Sequence, residues 1–145
     1  MAEQKTVKLT GDQIMGALRQ EKTRMESIQR AIVSVDNLLQ EIFFAKDSLK
    51  AVKNTKKGEK AMISLGAGVF LDIKIDENTK VKKSLAGNVL INSQIEKTIS
   101  ELEEREKEAQ EKLEEFNKQQ QAIYANMNTL TQIITKAEKA RREQK

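Results

Sequence analysis

The chain has no cysteine, no histidine and no proline among its 145 residues, and only 3% of it is aromatic. Without cysteine there is no disulfide framework, and without cysteine and histidine the usual zinc-ligand sets are missing. Nucleophilic serine or cysteine sites rely on a histidine or similar base, so that chemistry lacks its parts too. Glutamates cluster at Glu101, Glu103, Glu104, Glu114 and Glu115, but they alternate with Lys and Arg in a helical pattern and read as a solvated, ion-paired face. No metal, no cofactor and no enzymatic activity are expected. No apolar run approaches the roughly 18–20 residues needed to cross a bilayer, so no membrane partner is expected. The segment MAEQKTVKLT carries no apolar signal-peptide core, and the expected location is the cytoplasm.

The absent proline leaves nothing to kink or break a helix. Few aromatics, 33% charged residues and abundant Ala, Glu, Lys, Gln, Leu and Ile suit long helices better than a compact globular core. The net charge of +4 is uneven: residues 46–60 carry +4, residues 136–145 carry +3 and residues 61–135 carry −3. Solvated helix ends account for the basic clusters. A nucleic-acid surface needs stacking aromatics beside the basic residues, and Phe43, Phe44, Phe70, Phe116 and Tyr124 interleave with no basic run, so no nucleic-acid partner is expected.

Two heptad seams are present. The first runs through Ile14, Leu18, Glu21, Met25, Ile28, Ile32, Val35, Leu39, Ile42, Lys46 and Leu49, and nine of these eleven positions are apolar. The second runs through Ile95, Ile99, Leu102, Glu106, Ala109, Leu113, Phe116, Gln120, Ile123, Met127, Leu130, Ile134, Ala137 and Arg141, with eleven of fourteen apolar. A mean period near 3.5 sustained this long predicts a coiled coil. Thr10 with Gln13 and Ser93 with Glu96 fit the capping-box pattern, and Leu9 with Ile14 fits a hydrophobic staple. At 1.5 Å per residue the helices span roughly 58 and 73 Å. One helix cannot bury its own seam, so the two are expected to fold back as an antiparallel pair. Glu21, Glu106 and Gln120 interrupt the seams and are read as register-setting residues, not catalytic groups.

Between the seams the period changes to two. ISLGAGVFL at residues 63–71 and KSLAGNVLI at residues 83–91 repeat a unit of Leu, three small or turn-forming residues and Val. Val69, Leu71, Ile73 and Ile75 alternate with Phe70, Asp72, Lys74 and Asp76, predicting a strand with one buried face. Four strands are expected, near 61–65, 69–75, 81–85 and 89–91. Gly66, Gly68, Gly87 and Asn88 mark positions where positive φ or a bulge is tolerated. So small a sheet has exposed edges and is not expected to stand alone. It is therefore the expected assembly device, through Ile63, Leu65, Gly66, Gly68, Val69, Leu71, Ile73, Leu85, Gly87, Val89 and Ile91. Gly66-Ala67-Gly68 leads into a strand and lacks the spacing of a P-loop or dinucleotide fingerprint, so it is not read as a phosphate loop.

The whole chain resembles the prefoldin (GimC) family, in its alpha class and archaeal type. LGAGVFLDIKI at residues 65–75 is similar to the family's first hairpin region. KVKKSLAGNVLINSQIEKTISELEER at residues 80–105 is similar to its second hairpin and the entry to the C-terminal helix. The resemblance implies an α+β, mainly α fold: a long antiparallel two-helix coiled coil with two central β-hairpins that join an oligomeric β-barrel body. On it, residues 1–145 form one domain, with helices over 10–57 and 93–142 and hairpins over 61–91. It implies an ATP-independent chaperone of two alpha and four beta subunits that captures non-native protein clients and passes them to a group II chaperonin. Folding back brings the two helix ends together as client-contact tips, carrying Val7, Leu9, Ile14, Met15 and Leu18 on one side and Met127, Leu130, Ile133 and Ile134 on the other. Met15 and Ile133 lie off the seams and are the better candidates, methionine being adaptable at promiscuous surfaces. Two other readings use the same features: a homo-oligomeric or filament-forming structural protein joined through the sheet edges, and a nucleic-acid-binding coiled coil using the basic clusters.

Overall fold

The computed structural model describes residues 10–76, 78–85 and 88–143. Two long helices, α1 (Gly11–Asn54) and α2 (Ile95–Glu143), bracket four strands: β1 (Lys60–Gly66), β2 (Val69–Lys74), β3 (Lys80–Ser84) and β4 (Leu90–Gln94). The strands form two separate antiparallel hairpins, β1–β2 and β3–β4. The fold is mainly helical. Neither helix, over its described residues, is long and apolar enough to cross a membrane.

The start of α1 is set by Thr10 and Gln13. The Thr10 N–H donates to Gln13 Oε1 at 2.8 Å and the Gln13 N–H donates back to Thr10 Oγ1 at 3.3 Å. That reciprocal box satisfies two amides a helix start would leave orphaned. The matching box at Ser93 and Glu96 does not form. Strand β4 continues to Gln94, the Ser93 hydroxyl accepts from the Thr98 hydroxyl at 3.0 Å, and Glu96 pairs with Lys53. The ladder overrides the local capping signal because Ile95 N–H still donates to Thr79 O at 2.8 Å. This also moves the last strand later than the expected 89–91.

The chain divides into two compact units. The first joins α1 up to Asp36 with α2 from Glu111, and its core is Ile14, Met25 and Ile123. There Asn126 Nδ2 donates to Glu21 Oε1 at 3.4 Å, placing a mid-α2 residue beside the early part of α1. The second unit, Asn37–Gln110, holds the hairpins and the adjoining helix segments; its buried apolar side chains are Ile42, Ile75, Ile95 and Ala109. Two ion pairs run antiparallel across its helices, Lys46 with Glu106 and Lys53 with Glu96.

The first hairpin closes on Ala67 and Gly68, with φ of 51° and 77°. Positive φ at both central residues is the type I′ requirement, whose twist suits a two-residue hairpin. Gly66, at φ 95°, sits where the register slips between Ser64 and Gly66. Asn88, at φ 63°, occupies the corresponding turn of the second hairpin; Gly87 lies outside the described residues.

The face Val69, Leu71, Ile73, Ile75 is not uniformly buried. Ile75 is 7% exposed and Ile73 half-buried, but Leu71 and Val69 are 48% and 54% exposed. Burial along this face therefore falls from the hairpin base toward its turn.

Candidate functional site

Two surfaces stand out, one in each unit. In the second unit, nine large apolar side chains on the hairpins are exposed: Met62, Ile63, Leu65, Val69, Phe70, Leu71, Leu85, Val89 and Leu90. Cross-strand pairing puts Ile63 opposite Leu71, so these two share a face, while Phe70 lies on the other face with Met62. The first hairpin is thus apolar on both faces near its turn. In the second hairpin, Val81, Lys83 and Ile91 share a half-buried face, and Leu90 is the one large apolar residue on the opposite face. Contiguous apolar surface of this kind marks an interaction site. Of the expected assembly residues, Ile63, Leu65, Gly66, Gly68, Val69, Leu71, Leu85 and Val89 are exposed, and Ile73 and Ile91 are half-buried. Met62, Phe70 and Leu90 escape a single-face reading of the strands; the signal for them is that apolar residues occupy adjacent as well as alternate positions around residues 69–71 and 89–91. Phe43 and Phe44 on α1 are also exposed and meet edge-to-face, with ring centroids 5.7 Å apart.

In the first unit the candidate tip residues differ sharply in exposure. Ile14 is 9% exposed and serves the helix–helix core, while Leu18, Met127, Leu130 and Ile134 are half-buried. Met15 and Ile133 are 43% and 41% exposed. Val7 and Leu9 lie outside the described residues. An open groove of about 280 Å³ is lined by Met25, Gln29, Gln120, Gln121, Tyr124 and Met127. It falls where Gln120 interrupts the second seam, and Tyr124 stands exposed beside it. Sequence reasoning does not single out Tyr124, whose position off the seam is its only signal.

Polar seam residues find partners. Lys46 Nζ donates to Glu106 Oε2 at 2.5 Å, with both side chains largely buried. Glu21 takes Arg24 and Asn126. Removing one member of a shielded pair strands the other charge, so Glu106→Ala is expected to cost about 2 kcal/mol of unfolding free energy, while Lys46→Leu with Glu106→Leu together recover most of it. Urea denaturation of the single and double variants checks this.

Three carboxylates, exposed Glu96 and Glu114 and half-buried Glu101, lie below the usual carboxylate range. A hydrogen bond from Lys53, reinforced by its charge, does this for Glu96, and the Lys118 bond does it for Glu114. A hydrogen bond from Lys83 does it for Glu101. A lowered folded-state value means that the carboxylates' contribution is present above their ordinary value of 4.5 and is lost as pH falls through the folded value. Thermal midpoints followed by circular dichroism are therefore expected to be flat from about pH 7 to pH 5 and to decline progressively below about pH 4.5.

Two long helices bracket two hairpins whose apolar residues lie bare, a layout in which the β-segments carry the largest exposed apolar surface among the described residues. The chain belongs to the prefoldin family, in its alpha class: the family model described as prefoldin subunit matches residues 17–140. The chain is 34% identical over 123 residues to prefoldin subunit alpha 1 of Methanocaldococcus jannaschii, covering 81% of this chain and 82% of that relative. Its fold is similar to a chain in the cryo-EM structure of filamentous PFD from the same organism, with a TM-score of 0.66 at 18% identity, covering 80% of this chain and 96% of that one. Membership assigns a chaperone-type role in a family of non-enzymatic chaperones.

Proposed function

We propose that this chain is one subunit of an ATP-independent, cytoplasmic holdase that joins other prefoldin subunits through its hairpins and holds unfolded clients with the ends of its helices. Two alpha subunits with four beta-class subunits form the complex, their hairpins close into a β-barrel body, and the held client passes to a group II chaperonin. The observation carrying this reading is the apolar surface of the hairpins, left bare by the unit's own helices. A partner's strands cover it, which leaves the distant-in-sequence residues Met15 and Ile133 as accessible apolar groups for clients. Non-native proteins expose apolar surface, and covering it requires no catalysis. Exposed Tyr124 and half-buried Met127 supply further contacts of the same kind.

The test is light scattering of a chemically denatured client diluted into buffer without nucleotide. The chain mixed with a beta-class subunit is expected to suppress aggregation in proportion to complex concentration. Scattering unchanged across that range contradicts the reading.

A second reading draws on the similarity to filamentous PFD: copies of this chain join to one another through the same hairpins and form a structural filament. The mass of the purified chain alone separates the two, because a filament yields a long series of multiples and a waiting subunit does not.

A further inference from the structure

The second unit treats its lysines unequally. Lys46, Lys53 and Lys83 each pair with a glutamate of α2. Lys60, Lys74, Lys80 and Lys82 have no carboxylate partner among the described residues, and all four are exposed.

Their position on the strands gives these four a common character. In the second hairpin, Leu85 N–H donates to Val89 O and Ile95 N–H to Thr79 O. In an antiparallel pair the alternate residues then turn their backbone groups outward: Lys80, Lys82 and Ser84 on β3, and Leu90, Asn92 and Gln94 on β4. In the first hairpin, Ile75 N–H donates to Glu59 O, which turns outward Lys60, Met62 and Ser64 on β1, and Phe70, Asp72 and Lys74 on β2. Each of these four strand lysines thus sits on an outward-facing, hydrogen-bond-ready edge position. Lys60 and Lys74 even stand directly opposite each other, a like-charge arrangement that weakens a hairpin. The β4 edge is without charge, the β2 edge is mixed because Asp72 accompanies Lys74, and the β1 and β3 edges carry lysine alone.

Edge lysines oppose strand pairing with a chain that carries the same lysines. They favour a strand with carboxylates at the facing positions. We infer that Lys60, Lys74, Lys80 and Lys82 select the partner: the β1 and β3 edges, which carry lysine alone, take strands of a different subunit whose edge residues are acidic, and copies of this chain meet at most through the uncharged β4 edge or the mixed Asp72–Lys74 edge of β2. This rests on the hairpins being the assembly surface and goes beyond it by naming what distinguishes an accepted strand from a refused one.

The test uses an acidic counterpart of the chain itself, K60E/K74E/K80E/K82E, with native mass spectrometry and sedimentation of each full-length chain alone and mixed. Circular dichroism verifies that the variant keeps its helices. At about 50 mM salt, where charges interact over more than 10 Å, each chain alone is expected to stop at a dimer or below. The mixture is expected to form larger species containing both chains, roughly tenfold tighter than either alone, and about 500 mM salt is expected to shrink that difference severalfold. Wild-type chain alone reaching the size of the mixture at low salt, or mixed assembly indifferent to salt, would overturn partner selection while leaving hairpin assembly standing. Chains remaining monomeric in every mixture and at both salts would overturn hairpin assembly and the inference with it. A variant that loses its helices is replaced by K60Q/K74Q/K80Q/K82Q, whose expected behaviour alone is growth beyond a dimer; no growth overturns the inference.

Discussion

Leu65→Asp combined with Leu71→Asp is expected to abolish joining of this chain to its partner subunits while leaving both helices intact. Both leucines are exposed on the first hairpin, toward its turn, where the unit's own helices give no cover. The free chain already exposes these side chains to water, so the substitution removes little that holds the isolated chain together. In the proposed assembly the same positions lie against a partner's strands. Each leucine then forfeits about 1.5–3 kcal/mol of burial, and each aspartate adds the cost of desolvating a charge. Two such sites weaken association by more than about a hundredfold. Size-exclusion chromatography with a beta-class subunit is expected to show two separate peaks for the variant and one for the wild type, with unchanged helical circular dichroism. Loss of helix content in the variant would instead give these leucines a role in folding the single chain.

The second large effect lies at the other unit. Met15→Ser with Ile133→Ser is expected to reduce client capture severalfold without changing assembly. Met15 and Ile133 sit one position off the seams and stay more than two-fifths exposed, whereas their seam neighbour Ile14 is 9% exposed. Truncating Ile14 opens the helix–helix core and costs stability, as buried isoleucines do, typically about 2–5 kcal/mol on replacement by alanine. Truncating Met15 and Ile133 leaves that core filled, so a lost function there is a lost contact. The readout is client light scattering at fixed complex concentration beside the thermal midpoint of the same variant. A fall in scattering protection with an unmoved midpoint is expected; equal protection would move the client contact elsewhere, with Tyr124 and Met127 next in line.

Much of the architecture is written in periodicity. The heptads delimit both helices because one face of each must be apolar, and the Thr10–Gln13 box forms since nothing nearby competes for those groups. The similar signal at Ser93 and Glu96 misleads because a strand ladder and Lys53 claim the same residues, and neither partner is close in sequence. Lys46 and Glu106 are visible separately as polar breaks in two seams. Their meeting depends on the register of one helix against the other, which heptad counting leaves open. The exposed residues of the hairpins show the deeper limit. Val69, Leu71 and Ile73 carry the same alternating pattern as a buried strand, and pattern cannot say whether the cover comes from the chain itself or from another chain. Phe43 and Phe44 are likewise legible as apolar but not as exposed, because that depends on which stripe of α1 faces α2.

The most direct test of the account is native mass spectrometry of the full chain with and without a beta-class subunit. A species no larger than a dimer is expected for the chain alone, and a defined mixed complex of two such chains with four partners when both are present. A long ladder of multiples of this chain alone, with no mixed species on adding the partner, would contradict it.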